Sequence, residues 1–143
     1  MLTSLLNVYN RTNIAFTKGK GVFLFDENGK KYLDFGSGIA VNSLGYNHPK
    51  LIKALKKAAN LPWHVSNIYQ IPGQTELADK LIKNSQLDLA FFCISGAEAV
   101  EAAIKIIRKY WHQHDPRRQH IITFKNAFHG RTMACISAAG AKK

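Results

Sequence analysis

Two short apolar-rich runs, residues 22–25 and 31–35, flank Asp26-Glu27-Asn28-Gly29. Asn-Gly between such runs is a strong signal for a β-hairpin. Asn47-His48-Pro49 then opens a helix, because proline fits the first helical turn, where no backbone donor is needed. In that helix Leu51, Ile52 and Leu55 oppose Lys53, Lys56 and Lys57 on the wheel, and Pro62 marks its end. A second helix is predicted from about Gln74 to Lys83, with Leu77, Leu81 and Ile82 opposite Lys80 and Lys83. Residues 87–94 follow as an almost wholly apolar run, the pattern of a strand buried on both faces. After Ser95-Gly96-Ala97-Glu98 a long helical stretch reaches about His112. Ala99, Ala103, Ile106 and Tyr110 form one stripe on it, and Val100, Ile104, Ile107 and Trp111 form the neighbouring one. So wide an apolar face predicts packing on a sheet. Asp115-Pro116 breaks the helix, and residues 120–124 form a second, β-branched strand. Strand, helix, strand predicts a right-handed βαβ unit with parallel strands. No internal repeat, low-complexity tract or linker interrupts the chain.

Parallel strands open their C-terminal ends on one rim, where ligands of open α/β sheets bind. The loop after the first strand holds Gly96 and Ala97, and the loop after the second holds Phe128, His129, Gly130 and Arg131. The two loops are therefore expected to face one ligand. Ser95 to Ala97 sits where a helix starts, and its unpaired N–H groups and the helix dipole suit a phosphate. The same residues have a second reading, because Ser95 and Glu98 have the spacing of a capping box that needs no ligand. The two readings are compatible. Phe128 could stack on a planar ring and Arg131 could clamp a carboxylate, or Phe128 could tuck into a core while Arg131 stays in solvent. His129 has no acid or metal partner in the sequence and is given no catalytic role.

Charge changes the list of partners to consider. The 143 residues hold 20 Lys and Arg against 9 Asp and Glu, a net charge of +11. Such an excess suits nucleic acid. The lysines, however, fall on the polar faces of amphipathic helices, and no nucleic-acid motif is present, which favours a solvated face. Part of the excess is also accounted for if acidic residues lie in a missing C-terminal portion. An apolar content of 46% fits one domain with a core. The apolar runs are too short to span a membrane, and Met1 to Asn10 lacks the basic flank and apolar stretch of a signal peptide. A cytoplasmic protein is the expectation. Cys93 and Cys135 are far apart, lack metal-ligand spacing, and are read as buried thiols.

Residues 91–105, with Ser95-Gly96-Ala97-Glu98-Ala99-Val100-Glu101 at their centre, resemble the phosphate-binding segment of the class III pyridoxal-phosphate (PLP) aminotransferases. Phe124-Lys125-Asn126-Ala127-Phe128-His129-Gly130-Arg131-Thr132 resembles their second cofactor loop. Gly19-Lys20-Gly21, residues 26–34, Gly38-Ile39-Ala40-Val41-Asn42, Leu44-Gly45, His48-Pro49, and His64-Val65-Ser66-Asn67 with Tyr69 agree in order and spacing. Within the class the chain is most similar to the acetylornithine branch.

The resemblance implies the α/β fold of the N-terminal part of a fold type I PLP-dependent transferase. Residues 1–65 would form a hairpin-and-helix segment, and residues 66–143 the start of the large cofactor domain, with a mainly parallel sheet. It implies that Gly96 and Ala97 bind the cofactor phosphate through backbone N–H groups, that Phe128 packs on the pyridine ring, and that Arg131 receives the substrate α-carboxylate. The implied activity moves an amino group from N-acetylornithine, or a related ω-amino donor, to 2-oxoglutarate, in a homodimer, with no metal. One departure is Ile94, where the family often has Asn, which puts polar support of the loop in doubt. The larger departure is length. The Schiff-base lysine and the aspartate that meets the pyridinium nitrogen would lie beyond Lys143, so no residue here is given a catalytic role. The chain alone is expected to be inactive, to bind PLP weakly or not at all, and to expose the edge of an unfinished sheet. A complementing C-terminal chain would supply the rest. The alternatives are a non-catalytic remnant of a split or decayed gene and a basic nucleic-acid-binding module.

Overall fold

The computed structural model describes residues 4–140. They form two compact units, divided between Gln70 and Ile71.

The N-terminal unit is built on a three-stranded antiparallel sheet, β1 (Phe16–Lys20), β2 (Phe23–Asp26) and β3 (Lys31–Leu33), in the order β1-β2-β3. The predicted hairpin is β2 and β3, with Phe23, Leu24 and Phe25 opposite Leu33, Tyr32 and Lys31. Its loop is organised by the Asp26 carboxylate, whose Oδ1 accepts from the N–H groups of Asn28 and Lys30, each at 2.9 Å. The other oxygen accepts from the Tyr32 hydroxyl at 3.0 Å. Strand β1 has no signature in the sequence, because Thr17-Lys18-Gly19-Lys20 carries no apolar alternation. It pairs with β2 and adds an edge-to-face contact of Phe16 with Tyr32 at 5.3 Å.

Beyond the sheet, α1 (Ser37–Ala40) is a single turn of the left-handed kind, with φ positive at Ser37, Gly38, Ile39 and Ala40. Left-handed helical residues other than glycine cost roughly 1–2 kcal/mol each, so neighbouring bonds must hold the turn. Asp34 Oδ1 accepts from the N–H groups of Gly36 (2.9 Å) and Ser37 (3.0 Å), and Asp34 Oδ2 accepts from the Tyr46 hydroxyl at 2.6 Å. Tyr46 is fixed in turn by a two-way backbone bridge to Gly21, 2.7 and 2.9 Å long. Gly45 permits that bridge, since its φ is +74° and a Cβ there would lie 2.7 Å from the Gly21 carbonyl oxygen.

Helix α2 (Pro49–Ala58) starts at the predicted proline, with His48 as its N-cap. It ends before Pro62, because Asn60 Nδ2 and Trp63 Nε1 donate to the carbonyls of Lys56 and Ala59 and close the helix early. Its lysines are exposed, and so are Leu51 and Leu55 on the opposite face.

The C-terminal unit holds α3 (Gln74–Lys83), α4 (Gly96–His114) and α5 (Met133–Ala139). Helix α3 matches the predicted bounds. Helix α4 runs two residues beyond the predicted end and stops at Asp115, before Pro116. Of its stripe Val100, Ile104, Ile107 and Trp111, Ile107 is exposed and the other three are half-buried, whereas Ile106 and Tyr110 on the other stripe are exposed. Helix α5 packs on α4.

Two expectations are corrected here. Residues 87–94 and 120–124 join no ladder, and the sheet among the described residues is antiparallel. A strand is defined by the neighbour that takes its N–H and C=O groups, and neither segment meets one within the unit. The apolar side chains meant for two covered faces are accordingly exposed, Ile94 at 92% and Ile122 at 97%. The second correction is Cys93, which is exposed, while Cys135 is fully buried. Cys93 shares the fate of the unpaired run that carries it. Among the described residues, no helix is long and apolar enough to cross a membrane.

Candidate functional site

The N-terminus of α4 is set by Ser95, whose extended backbone and Oγ place it at the N-cap position. The Glu98 N–H donates to Ser95 Oγ at 3.2 Å, and the Ala99 N–H donates to the Ser95 carbonyl at 3.1 Å. Glu98 reaches back as in a capping box, but its carboxylate accepts from Ile94 N–H, at 2.8 Å, rather than from Ser95. The backbone at Ile94 is thereby secured without a polar side chain at that position. Cap and first turn account for the N–H groups of Glu98 and Ala99. Those of Gly96 and Ala97 come earlier in the helix than any carbonyl that could take them. Above Gly96 there is open space, since a Cβ built there meets no heavy atom within 4 Å. A helix start whose first N–H groups have no carbonyl within the helix, with open space above Gly96, is an arrangement that can take a phosphate-sized anion.

The second loop folds onto the same helix end. Gly96, Ala97 and Val100 of α4, together with Phe128, His129, Gly130 and Arg131, line one open hollow of about 600 Å3. The four candidate residues read from the sequence, Gly96, Ala97, Phe128 and Arg131, thus meet around a single space. The Phe128 side chain is 78% exposed, available as a face for a planar group rather than tucked into a core. His129 reaches inward instead, where its Nε2 is buried without a hydrogen-bond partner.

Gly130, Thr132 and Cys135 draw the loop against α4. A Cβ at Gly130 would sit 2.9 Å from Ala97 Cβ and 3.0 Å from Cys135 Sγ, so the chain passes α4 at glycine-only distance. Cys135 lies beneath, its thiol 3.7 Å from the Ala97 carbonyl oxygen. The Thr132 hydroxyl donates to Glu101 on α4 at 2.5 Å. Sequence reading alone assigns these residues no such part. The one available signal was Thr132 ahead of the run Met133-Ala134-Cys135-Ile136, the position of a helix cap. Among the described residues no group of three or more His, Cys, Asp or Glu could hold a metal ion.

Comparison with known proteins gives the family. The family model for class-III aminotransferases matches residues 6–143. The chain is 51% identical over 143 residues to the acetylornithine aminotransferase of Aquifex aeolicus, covering 99% of this chain and 38% of that protein. It is 49% identical over 140 residues to that of Agrobacterium fabrum, covering 97% and 35%. Among solved structures, N-acetylornithine aminotransferase from Stenotrophomonas maltophilia K279a superposes with a TM-score of 0.76 at 37% identity, over 85% of this chain and 34% of that one. Ornithine aminotransferase from Toxoplasma gondii ME49 gives 0.85 at 27% identity, over 94% and 32%. The chain thus spans little more than a third of the length of the curated relatives it matches, over their N-terminal part, and its fold is that of the same part of the fold type I transaminases. It belongs to the class-III aminotransferase family.

Proposed function

We propose that this chain contributes the phosphate cradle and the substrate-facing loop of an aminotransferase that moves an amino group from N-acetylornithine, or a related ω-amino donor, to 2-oxoglutarate with PLP as cofactor. The observation that carries the reading is the single hollow in which the free helix end at Gly96 and Ala97 faces Phe128 and Arg131. Acetylornithine is favoured among donors by the names of the relatives at 46–51% identity. When bound, PLP supplies the electron sink through which an amino group leaves one carbon and joins another.

Each part of the hollow has a separate task. The Gly96 and Ala97 N–H groups hold the phosphate and fix one end of the cofactor. Phe128 covers a ring face and keeps water from it. Arg131 takes the carboxylate of the donor or of 2-oxoglutarate through paired, charge-assisted hydrogen bonds. Among the described residues that line the hollow none is a lysine; in this reading the amine that carries the cofactor would be supplied from elsewhere, on a longer polypeptide or a complementing chain, in a cytoplasmic homodimer. Residues from about 66 onward would be the beginning of the cofactor domain.

The test uses the enzyme completed by a C-terminal partner. Gly96→Val fills the space above the cradle and weakens PLP retention in an absorbance titration. Arg131→Ala leaves PLP affinity nearly intact and raises the donor KM about tenfold or more, the equivalent of a charge-assisted bond of roughly 1.5–3 kcal/mol. Release of PLP by Arg131→Ala with an unchanged donor KM would refute the assignment of Arg131.

A further inference from the structure

Thr132 is the N-cap residue of α5, yet its side chain makes no cap bond to that helix. N-cap threonines ordinarily accept from a backbone N–H two or three residues on. Here the hydroxyl donates across to the Glu101 carboxylate on α4, 31 residues away in sequence, at 2.5 Å, within the range of a hydroxyl-to-carboxylate bond. The two ends of this bond matter. Glu101 lies five residues into the helix whose first two N–H groups form the anion cradle, and Thr132 directly follows Arg131. Below it, the Cys135 thiol meets the Ala97 carbonyl and Gly130 presses on Ala97, so these three contacts join the loop to the helix end. Only one of the three is a directional bond between side chains. Packing limits how closely the loop approaches; a hydrogen bond to a fixed helical residue also sets where along α4 it docks.

We infer that Glu101 and Thr132 form a positioning pair that sets the register of the Phe128-to-Arg131 loop against the helix end at Gly96 and Ala97. Neither residue reaches the hollow. Both act through the residues that line it. The inference rests on the cofactor reading for its purpose but on the observed bond for its substance.

The experiment uses the 143-residue chain with Thr132→Val, Thr132→Ser, Glu101→Gln and the Thr132→Val/Glu101→Gln double variant. Valine keeps the shape of threonine without the hydroxyl, and serine restores the hydroxyl. Amide exchange of residues 136–139, whose N–H groups are bonded within α5 from Ile136 onward, is expected to speed up about threefold to tenfold in Thr132→Val and Glu101→Gln. The double variant should be no faster than the worse single, and Thr132→Ser should stay near the parent. PLP titrated to millimolar concentration is then followed by the amide resonances on both sides of the hollow. Thr132→Val should keep the response at Gly96 and Ala97 and lose it at Phe128 and Arg131, a split that general destabilisation would not produce. Exchange unchanged in Thr132→Val, or effects of the two single variants that simply multiply in the double, would overturn the pair. If PLP moves neither set of resonances in the parent, as weak binding by the isolated chain allows, the exchange data alone decide the pair.

Discussion

Gly130 and Gly96 stand on opposite sides of one hollow, and the same substitution should do opposite things to them. At Gly130 φ is +126°, a conformation that side chains rarely adopt, and a Cβ would lie 2.9 Å from Ala97 Cβ, 3.0 Å from Cys135 Sγ and 3.2 Å from Ala97 Cα. The backbone strain of Gly130→Ala is worth roughly 1–3 kcal/mol. Contacts about 0.5–1 Å inside the optimum add an overpacking cost of roughly 1–3 kcal/mol. The lower entropy of an unfolded chain with alanine offsets about 0.4–1 kcal/mol. The expected net loss is about 1–5.5 kcal/mol. Gly96 has an ordinary φ, and its Cβ would meet nothing within 4 Å, so Gly96→Ala should leave the fold unchanged or stabilise it by up to about 0.5 kcal/mol. Both variants would be compared with the parent in urea, by the far-ultraviolet helical signal and by the reactivity of the Cys135 thiol. Gly130→Ala should lower the midpoint and expose Cys135, because the clash is relieved by lifting α5 from α4. A Gly130→Ala midpoint within about 0.5 kcal/mol of the parent, with Cys135 still protected, would refute the close approach on which the site geometry depends.

Three further outcomes follow from single contacts. In the parent chain a maleimide should modify exposed Cys93 promptly and buried Cys135 only after denaturation; equal rates would contradict the burial. The Tyr46 hydroxyl, followed by the Ser37 and Gly36 N–H groups, holds the Asp34 carboxyl below its ordinary value, and Asp34 in turn raises the Tyr46 phenol. The Asp34 contribution is therefore present above the unfolded carboxylate pKa of about 3.9 and is lost as pH falls through the depressed folded value; the Tyr46 contribution is present below about 10 and is lost as pH rises through the raised one. Amide protection of Gly36 and Ser37 should fall at both ends of that window, and Tyr46→Phe should remove the alkaline limb. Ser95→Ala removes the bond from Glu98 N–H and should destabilise α4 by about 1 kcal/mol, read as faster exchange at Glu98; no change there would mean that the cap carries nothing.

How far the fold was legible depends on where its causes lie. The bounds of α3, the start of α2 and the start and stop of α4 were readable because proline, a capping serine and helical periodicity act within a few residues. The turn Ser37–Ala40 was not, since Ile39 and Ala40 favour right-handed backbone and are held left-handed by Asp34 and Tyr46, the latter up to nine residues away. Residues 87–94 and 120–124 show the opposite failure. Their composition announces strands, but a ladder needs partners that composition cannot supply. Gly96, Ala97, Phe128 and Arg131 could be named because each lies next to a local signal, a helix start or a loop after an apolar run. The bond between Glu101 and Thr132 joins residues that no local pattern connects.

Ser95 to Glu98 carries two readings, a helix cap and an anion site, and the structure shows why they do not compete. A capping box uses the N–H three residues into the helix and a carboxylate that reaches back, and here those are Glu98 N–H and the Glu98 side chain. An anion uses the first N–H groups, those of Gly96 and Ala97, which the cap leaves untouched. The Glu98 carboxylate is turned back onto Ile94 N–H, so a negative charge that could oppose a phosphate is engaged on the preceding segment. In the proposed reading the cap would be the condition for anion binding: without it the first turn would fray and the two donors would lose their common direction. Ser95→Ala should accordingly weaken phosphate binding at Gly96 and Ala97 in proportion to the fraying it causes, whereas Gly96→Val should abolish it with α4 intact. Titration of both variants with inorganic phosphate, followed at the Ala97 amide, separates the two effects. Retained phosphate response in Gly96→Val would leave residues 95–98 as a cap and nothing more.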